Sequence, residues 1–172
     1  MSTTREPHPF VKYLLELAED RAALAALRRG LGRPPGTVPE MFPYVIPFLP
    51  RELGLQEEAT YYTLAALFAL HPSHTYRGNM GDHMAQAAYK GNREAVERRF
   101  VALLAARSED LPERLRQTIG FLKAQEVRVN WDALFSALRY WNHSNYGARI
   151  RREWARAFWA VTSEDIVPIS ES

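Results

Sequence analysis

Hydrophobic and polar positions recur along this chain at helical spacing, most clearly from Asn92 to Lys123. Val96, Phe100, Leu103 and Leu104 fall at i, i+4, i+7 and i+8, the period of one buried helix face. Asn92 stands where an N-cap belongs, its side-chain oxygen able to accept a free backbone N–H. Ser108-Glu109-Asp110 interrupts the pattern, and Asp110 is placed to cap a second helix with Pro112 in its first turn. Leu111, Leu115, Ile119 and Leu122 form that helix's apolar stripe. Arg93, Arg98, Arg99, Arg107, Arg114, Arg116 and Lys123 lie mostly off the two stripes, so packing this pair presents a basic surface.

The other segments read similarly. Phe10, Leu14, Leu17, Ala18, Leu24 and Leu27 predict helix over 10–29, with a break near Glu19-Asp20. Arg28 and Arg29 close it, where cations suit the helix dipole, and Gly30 follows as C′ residue. Six prolines between Pro34 and Pro50 rule out a long helix there, yet Met41, Phe42, Tyr44, Val45, Ile46, Phe48 and Leu49 are too apolar for a free linker. A short helix or turn from Pro39 is expected, with Arg33 in the exposed part of the loop. Residues 56–70 form a helix apolar nearly all round, and 82–90 a short one ending at Gly91. Val127 to Asn130 is an extended link. Asn130 caps a helix over 131–142 with Trp131, Leu134, Phe135, Leu138 and Trp141 inward. A last helix covers 148–161, with Ile150, Trp154, Phe158 and Val161 inward. No segment alternates as a half-buried strand does, and no repeat is visible. The expected fold is all-α, with about seven to nine helices in two packed lobes. The first covers 1–71, a loop and short helix 72–92 connects it to a basic lobe at 93–161, and 162–172 is a poorly ordered acidic tail.

Composition narrows the function classes. A chain of 172 residues with 47% hydrophobic content can bury a real core. No run nears the roughly 20 apolar residues that span a bilayer. Without a leader-like N-terminus or any cysteine, we expect a cytoplasmic protein with no membrane association. The net charge of +2 hides an asymmetry. Residues 1–85 carry 8 basic against 9 acidic side chains, 86–160 carry 14 against 8, and 161–172 carry none against 3. Arginine outnumbers lysine 19 to 3, which suits phosphate recognition but equally a G+C-rich genome or growth at high temperature.

Candidate chemistry for an enzyme is thin. His71, His74 and His83 lie close in sequence beside Asp82, but the first two straddle Pro72 in a loop instead of sharing a helix face as in H-E-x-x-H. There is no G-x-S-x-G elbow and no phosphate-binding glycine loop. The pairs Glu57-Glu58 and Glu109-Asp110 sit at helix starts, where the dipole accounts for them. We therefore expect no catalytic residues, no metal and no cofactor. Exposed aromatics interleaved with arginine would form stacking platforms for single strands. Most of the 20 aromatics instead fall on helix stripes, with Trp159 and Tyr140 the least settled. On the last helix Arg149, Arg152 and Arg156 share a face, with Arg151 adjacent and only Glu153 to counter them. Like charges at these spacings cost roughly 0.2–0.5 kcal/mol per pair. That face is either a phosphate-binding surface, with Arg98, Arg99, Arg107 and Arg116, or simply a solvated one. Arg107 falls near the buried stripe, so it should be paired with a carboxylate or sit at a groove mouth.

Several motifs in order carry a family likeness: Ala25-Ala-Leu-Arg-Arg-Gly30 before the proline-rich loop, Leu64-Ala-Ala-Leu-Phe-Ala-Leu-His-Pro72, Glu97-Arg-Arg-Phe-Val-Ala-Leu-Leu104, Leu115-Arg116, Val129-Asn-Trp131 and Trp154-Ala-Arg-Ala-Phe158. Over residues 10–160 the chain resembles the CasB family, the small subunit of the type I-E CRISPR Cascade surveillance complex. The resemblance implies a non-catalytic helical subunit, present as a pair, packed against the backbone and large subunits. It further implies contact with guide RNA and target DNA, and help in holding the R-loop open during antiviral defence. On this likeness Arg28 and Arg29 match an arginine pair, Arg98 and Arg99 the Glu-Arg-Arg motif, and Arg107 and Arg116 later basic positions. With Arg33, Lys123, Arg149 and Arg152 these form the expected nucleic-acid-binding set. The alternative is a helical protein-interaction scaffold whose arginines meet acidic protein surfaces.

Overall fold

The periodic segments are helices in the computed structural model, which describes residues 5–160. Among these residues there are nine α-helices: α1 Pro9–Glu16, α2 Arg21–Arg28, α3 Phe42–Val45, α4 Leu55–Leu70, α5 Met80–Lys90, α6 Arg93–Leu104, α7 Leu111–Ala124, α8 Trp131–Tyr140 and α9 Tyr146–Trp159. Short 3-10 turns, Pro39–Met41 and Ile46–Phe48, flank α3. The only extended pairing among the described residues is an isolated bridge between His74 and Val129. The acidic tail expected at 162–172 lies outside the described residues.

Helix starts follow their capping residues. Asp20 accepts the Ala23 amide at 3.0 Å, which begins α2 after the break expected near Glu19-Asp20. Asn92 and Asn130 cap α6 and α8 through Ala95 and Ala133, each at 3.1 Å. Asn79 and Asp82 form a reciprocal capping box on α5. Asp110 behaves differently from expectation. It stands at the N-cap position of α7 with a helical backbone (φ −93°, ψ −17°), and its side chain makes no capping bond. The Arg107 carbonyl takes the Leu111 amide instead, at 2.9 Å.

Helix α4 is the centre of the packing. Its buried residues include Tyr61, Tyr62 and Leu64 through Ala69, and it meets α2, α3, α7 and α8. Helix α5 packs on α6, α7 and α9. Helix α8 reaches back to α1 and α4, so the buried side chains form one cluster from Phe10 to Phe158. Each fully buried Leu or Phe in it contributes roughly 1.5–3 kcal/mol relative to exposure. Gly81 permits the close α5–α9 crossing, because a methyl group there would collide with the Trp154 carbonyl. Gly30 is also explained by packing, since a Cβ would meet Met41 Sδ at 2.5 Å. Among the described residues, no helix is long and apolar enough to cross a membrane.

Candidate nucleic-acid interface

The basic residues sit on three sets of elements. The first set joins the end of α2, the loop after it and the start of α7. Arg28 and Arg29 lie in and just past the last turn of α2, both exposed. Gly32 adopts φ +74°, a left-handed turn open to glycine, and the Arg116 guanidinium sits directly over it. Arg33 therefore neighbours Arg116, although 83 positions separate them in the chain. Beneath this contact lies a cavity of about 200 Å³, lined by Arg33, Tyr62, Glu109, Pro112 and Glu113 among others. Arg107 stands in the turn leading into α7.

The second set is on α6 and the end of α7. Arg98 is exposed, and Arg99 lies 4.9 Å over the Phe121 ring, tying its guanidinium to α7. Lys123 is exposed in the last turn of α7. The third set is on α9, where Arg149 Nε donates to Glu153 Oε1 at 3.0 Å and Arg152 is exposed.

Three of the ten expected residues carry carboxylate partners. Arg29 pairs with Glu40 at 3.5 Å, Arg116 with Glu113 at 3.8 Å, and Arg149 with Glu153. All three pairs are solvent-exposed and worth roughly 0–1 kcal/mol each. Arg28, Arg33, Arg98, Arg99, Arg107, Lys123 and Arg152 have no ion-pair partner among the described residues. Arg107 corrects the expectation from periodicity. Helix α6 ends at Leu104, so the 3.6-residue phase no longer applies three residues later, and Arg107 is exposed and unpaired among the described residues. Ala106 takes the inward position, its carbonyl accepting from Trp141 Nε1 at 3.3 Å.

Arg151 also departs from the basic face. It is half-buried, its Nε donating to the Leu104 carbonyl at 3.1 Å and its Nη1 to the Trp141 carbonyl at 3.2 Å. It fastens α9 to the end of α6, which relieves part of the like-charge crowding.

The three histidines hold the segment after α4 and helix α5 to the link before α8. His71 Nε2 lies 2.7 Å from the Val127 carbonyl, His74 Nδ1 accepts the Trp131 amide, and His83 Nε2 accepts the Asn130 amide at 2.9 Å. Burial lowers the pKa of all three, that of His83 to about 4 despite the raising effect of Asp82, so they are neutral near pH 7. Among the described residues, no group of three His, Asp or Glu side chains converges as a metal site.

Sequence reasoning missed one feature. A groove of about 1290 Å³ runs between α8 and α9, bordered by the N-terminal residues and the 76–79 loop. Arg5, Arg77, Arg139 and Arg149 line it beside Tyr76, Tyr140 and Tyr146. The signal was present in the adjacent pairs Tyr76-Arg77 and Arg139-Tyr140, which belong to no apolar stripe.

Comparison with known proteins agrees with this architecture. The family model of CRISPR-associated protein Cse2 matches residues 23–159. A CRISPR-associated protein Cse2 from Thermus thermophilus is 33% identical over 152 residues, covering 84% of this chain and 82% of the relative. The crystal structure of CasB from Thermus thermophilus superposes with a TM-score of 0.78 at 30% identity, over 94% of this chain and all of that one. A chain of a CRISPR RNA-guided surveillance complex superposes with a TM-score of 0.75 at 27% identity, covering 87% of this chain and 88% of that one. The chain belongs to the CRISPR-associated Cse2 family, the CasB family that its motif order resembles.

Proposed function

We propose that this protein is the non-catalytic small subunit of a Cascade surveillance complex, holding nucleic acid by contacts between arginines and the sugar-phosphate backbone. The observation carrying this reading is the match, over most of both chains, to a component of a CRISPR RNA-guided surveillance complex. Local chemistry supports it. Seven of the ten candidate cations have no carboxylate among the described residues, so a phosphate can approach them without breaking an ion pair. Each of the three histidines has one ring nitrogen in a hydrogen bond with the backbone, which suits a structural role. In the assembly the subunit packs, as a pair of copies in the cytoplasm, against the backbone and large subunits, near guide RNA and target DNA. An R-loop is a near-balanced exchange of duplexes, so a few phosphate contacts suffice to tip it toward the open form.

Reconstituted complexes carrying Arg98→Glu and Arg107→Glu test this. R-loops should close faster than in the wild-type complex, with the subunit still incorporated. Unchanged R-loop lifetime at low salt contradicts the assignment. The second reading, a scaffold without nucleic-acid contact, draws on the carboxylates already bound to Arg29, Arg116 and Arg149. It predicts that the same substitutions release the subunit from the complex instead.

A further inference from the structure

We propose that the groove between α8 and α9 seats an unpaired nucleic-acid strand, whose bases stack on Tyr76, Tyr140 and Tyr146 while Arg77 and Arg139 meet its phosphates. This rests on the nucleic-acid reading above and deepens it by adding a site and a mode of contact. The groove residues other than Arg149 are not among those expected from the sequence.

The aromatic rings carry the inference. Tyr76, Tyr140 and Tyr146 are 66%, 42% and 51% exposed, in a protein whose other large rings are mostly buried. None serves the core, yet each is held. Tyr76 meets His74 edge-on at 4.5 Å, Tyr146 leans on His143 at 4.6 Å, and Tyr140 and Tyr146 meet edge to face at 5.8 Å. The three rings are exposed yet already steadied by these neighbours, so little side-chain entropy is lost when a base stacks there. Every base has a π-face, which makes such a platform tolerant of sequence.

The arginines are arranged to match. Arg77 follows Tyr76 directly, and Arg139 is steadied 5.4 Å over Phe135 and 5.7 Å over Tyr140. A volume of about 1290 Å³ exceeds the roughly 300–1000 Å³ of pockets for small molecules. Charge then decides between a nucleic-acid strand and an acidic peptide. Four arginines face three carboxylates, of Glu6, Asp132 and Glu153, so the lining is only weakly positive. Two of those carboxylates are engaged, Asp132 by the His8 amide at 2.8 Å and Glu153 by Arg149. A peptide recognised by charge alone gains little here. A strand gains from stacking on neutral rings, which net charge does not limit.

Fluorescence anisotropy with labelled dT12, U12 and an abasic 12-mer tests this on the full chain. The variants are a triple Tyr→Leu at 76, 140 and 146, the matching triple Tyr→Phe, and Arg98→Glu with Arg107→Glu. Thermal melts confirm folding. We expect dT12 or U12 to bind tighter than the abasic strand. Tyr→Leu should weaken the preferred strand by roughly fivefold or more per stacked base and leave the abasic strand unaffected. Tyr→Phe should stay near wild type, since it keeps the ring. Unchanged dT12 and U12 affinity in both folded tyrosine variants, with loss only in the arginine variant, overturns the groove while the phosphate-holding reading stands. No binding of any strand by wild type at low salt overturns both. Binding of a labelled octaglutamate, lost in the Tyr→Leu variant while strand binding persists, assigns the groove to a peptide and overturns it too.

Discussion

The guanidinium of Arg151 lies 4.2 Å over the Trp141 ring while its Nη1 donates to the Trp141 main-chain carbonyl. Its Nε reaches the Leu104 carbonyl at the end of α6, so one side chain fixes three segments. Arg151→Ala leaves two carbonyls without partners and should destabilise the fold by roughly 1–3 kcal/mol. Lysine cannot reproduce the fork and should recover little of that. Arg152→Ala, on the exposed side of the same turn, should stay within about 0.5 kcal/mol of wild type. Urea unfolding of the three variants checks the contrast.

His83 predicts a pH dependence of known sign. Its folded pKa, about 4, lies below the ordinary histidine value of 6.5 because the ring is buried, with His74 nearby also lowering it and Asp82 only partly opposing. The unfolded chain then binds more protons than the folded one between those values. This contribution is fully present above about pH 6.5 and is lost as pH falls toward 4, at most on the order of 3 kcal/mol. His71 and His74 shift in the same direction and add to it. Denaturant midpoints measured from pH 4 to 8 should rise across that window and then level off, more shallowly in His83→Gln.

Two glycines should respond oppositely to alanine. Gly81→Ala drives a methyl into the Trp154 carbonyl at the α5–α9 crossing and should cost about 1–3 kcal/mol or more, as overpacked cores do. Gly120 lies inside α7 with nothing within 4 Å of a built Cβ. Gly120→Ala should stabilise the protein by roughly 0.5–1 kcal/mol. Thermal melts of the pair separate packing from backbone entropy.

Element identity was legible because apolar stripes repeat with helical period and polar caps punctuate them, as at Asn92 and Asn130. Residues just past a helix end were not. Phasing from Phe100 and Leu103 puts Arg107 near the buried stripe, but the chain leaves the helix at Ala105, so periodicity assigns it a position it does not hold. Arg151 reads as one more charge on a basic face, since nothing local predicts that the Leu104 and Trp141 carbonyls come to it. The nearness of Arg33 to Arg116 depends on a left-handed turn at Gly32 and on α7 packing beside α4, which are both tertiary facts. The tyrosine groove was only partly visible: Tyr140 stood out as off the stripes, but nothing local predicts that Tyr76 and Tyr146 come to the same groove.

The salt dependence of DNA binding tests the central claim most directly. Wild-type protein should bind single- and double-stranded DNA weakly and without sequence preference, with log K falling linearly against log salt. Arg98→Glu with Arg107→Glu, folded as judged by melting, should lower the magnitude of that slope by about two, one per lost phosphate contact. An unchanged slope, or no binding at the lowest salt, would contradict the account.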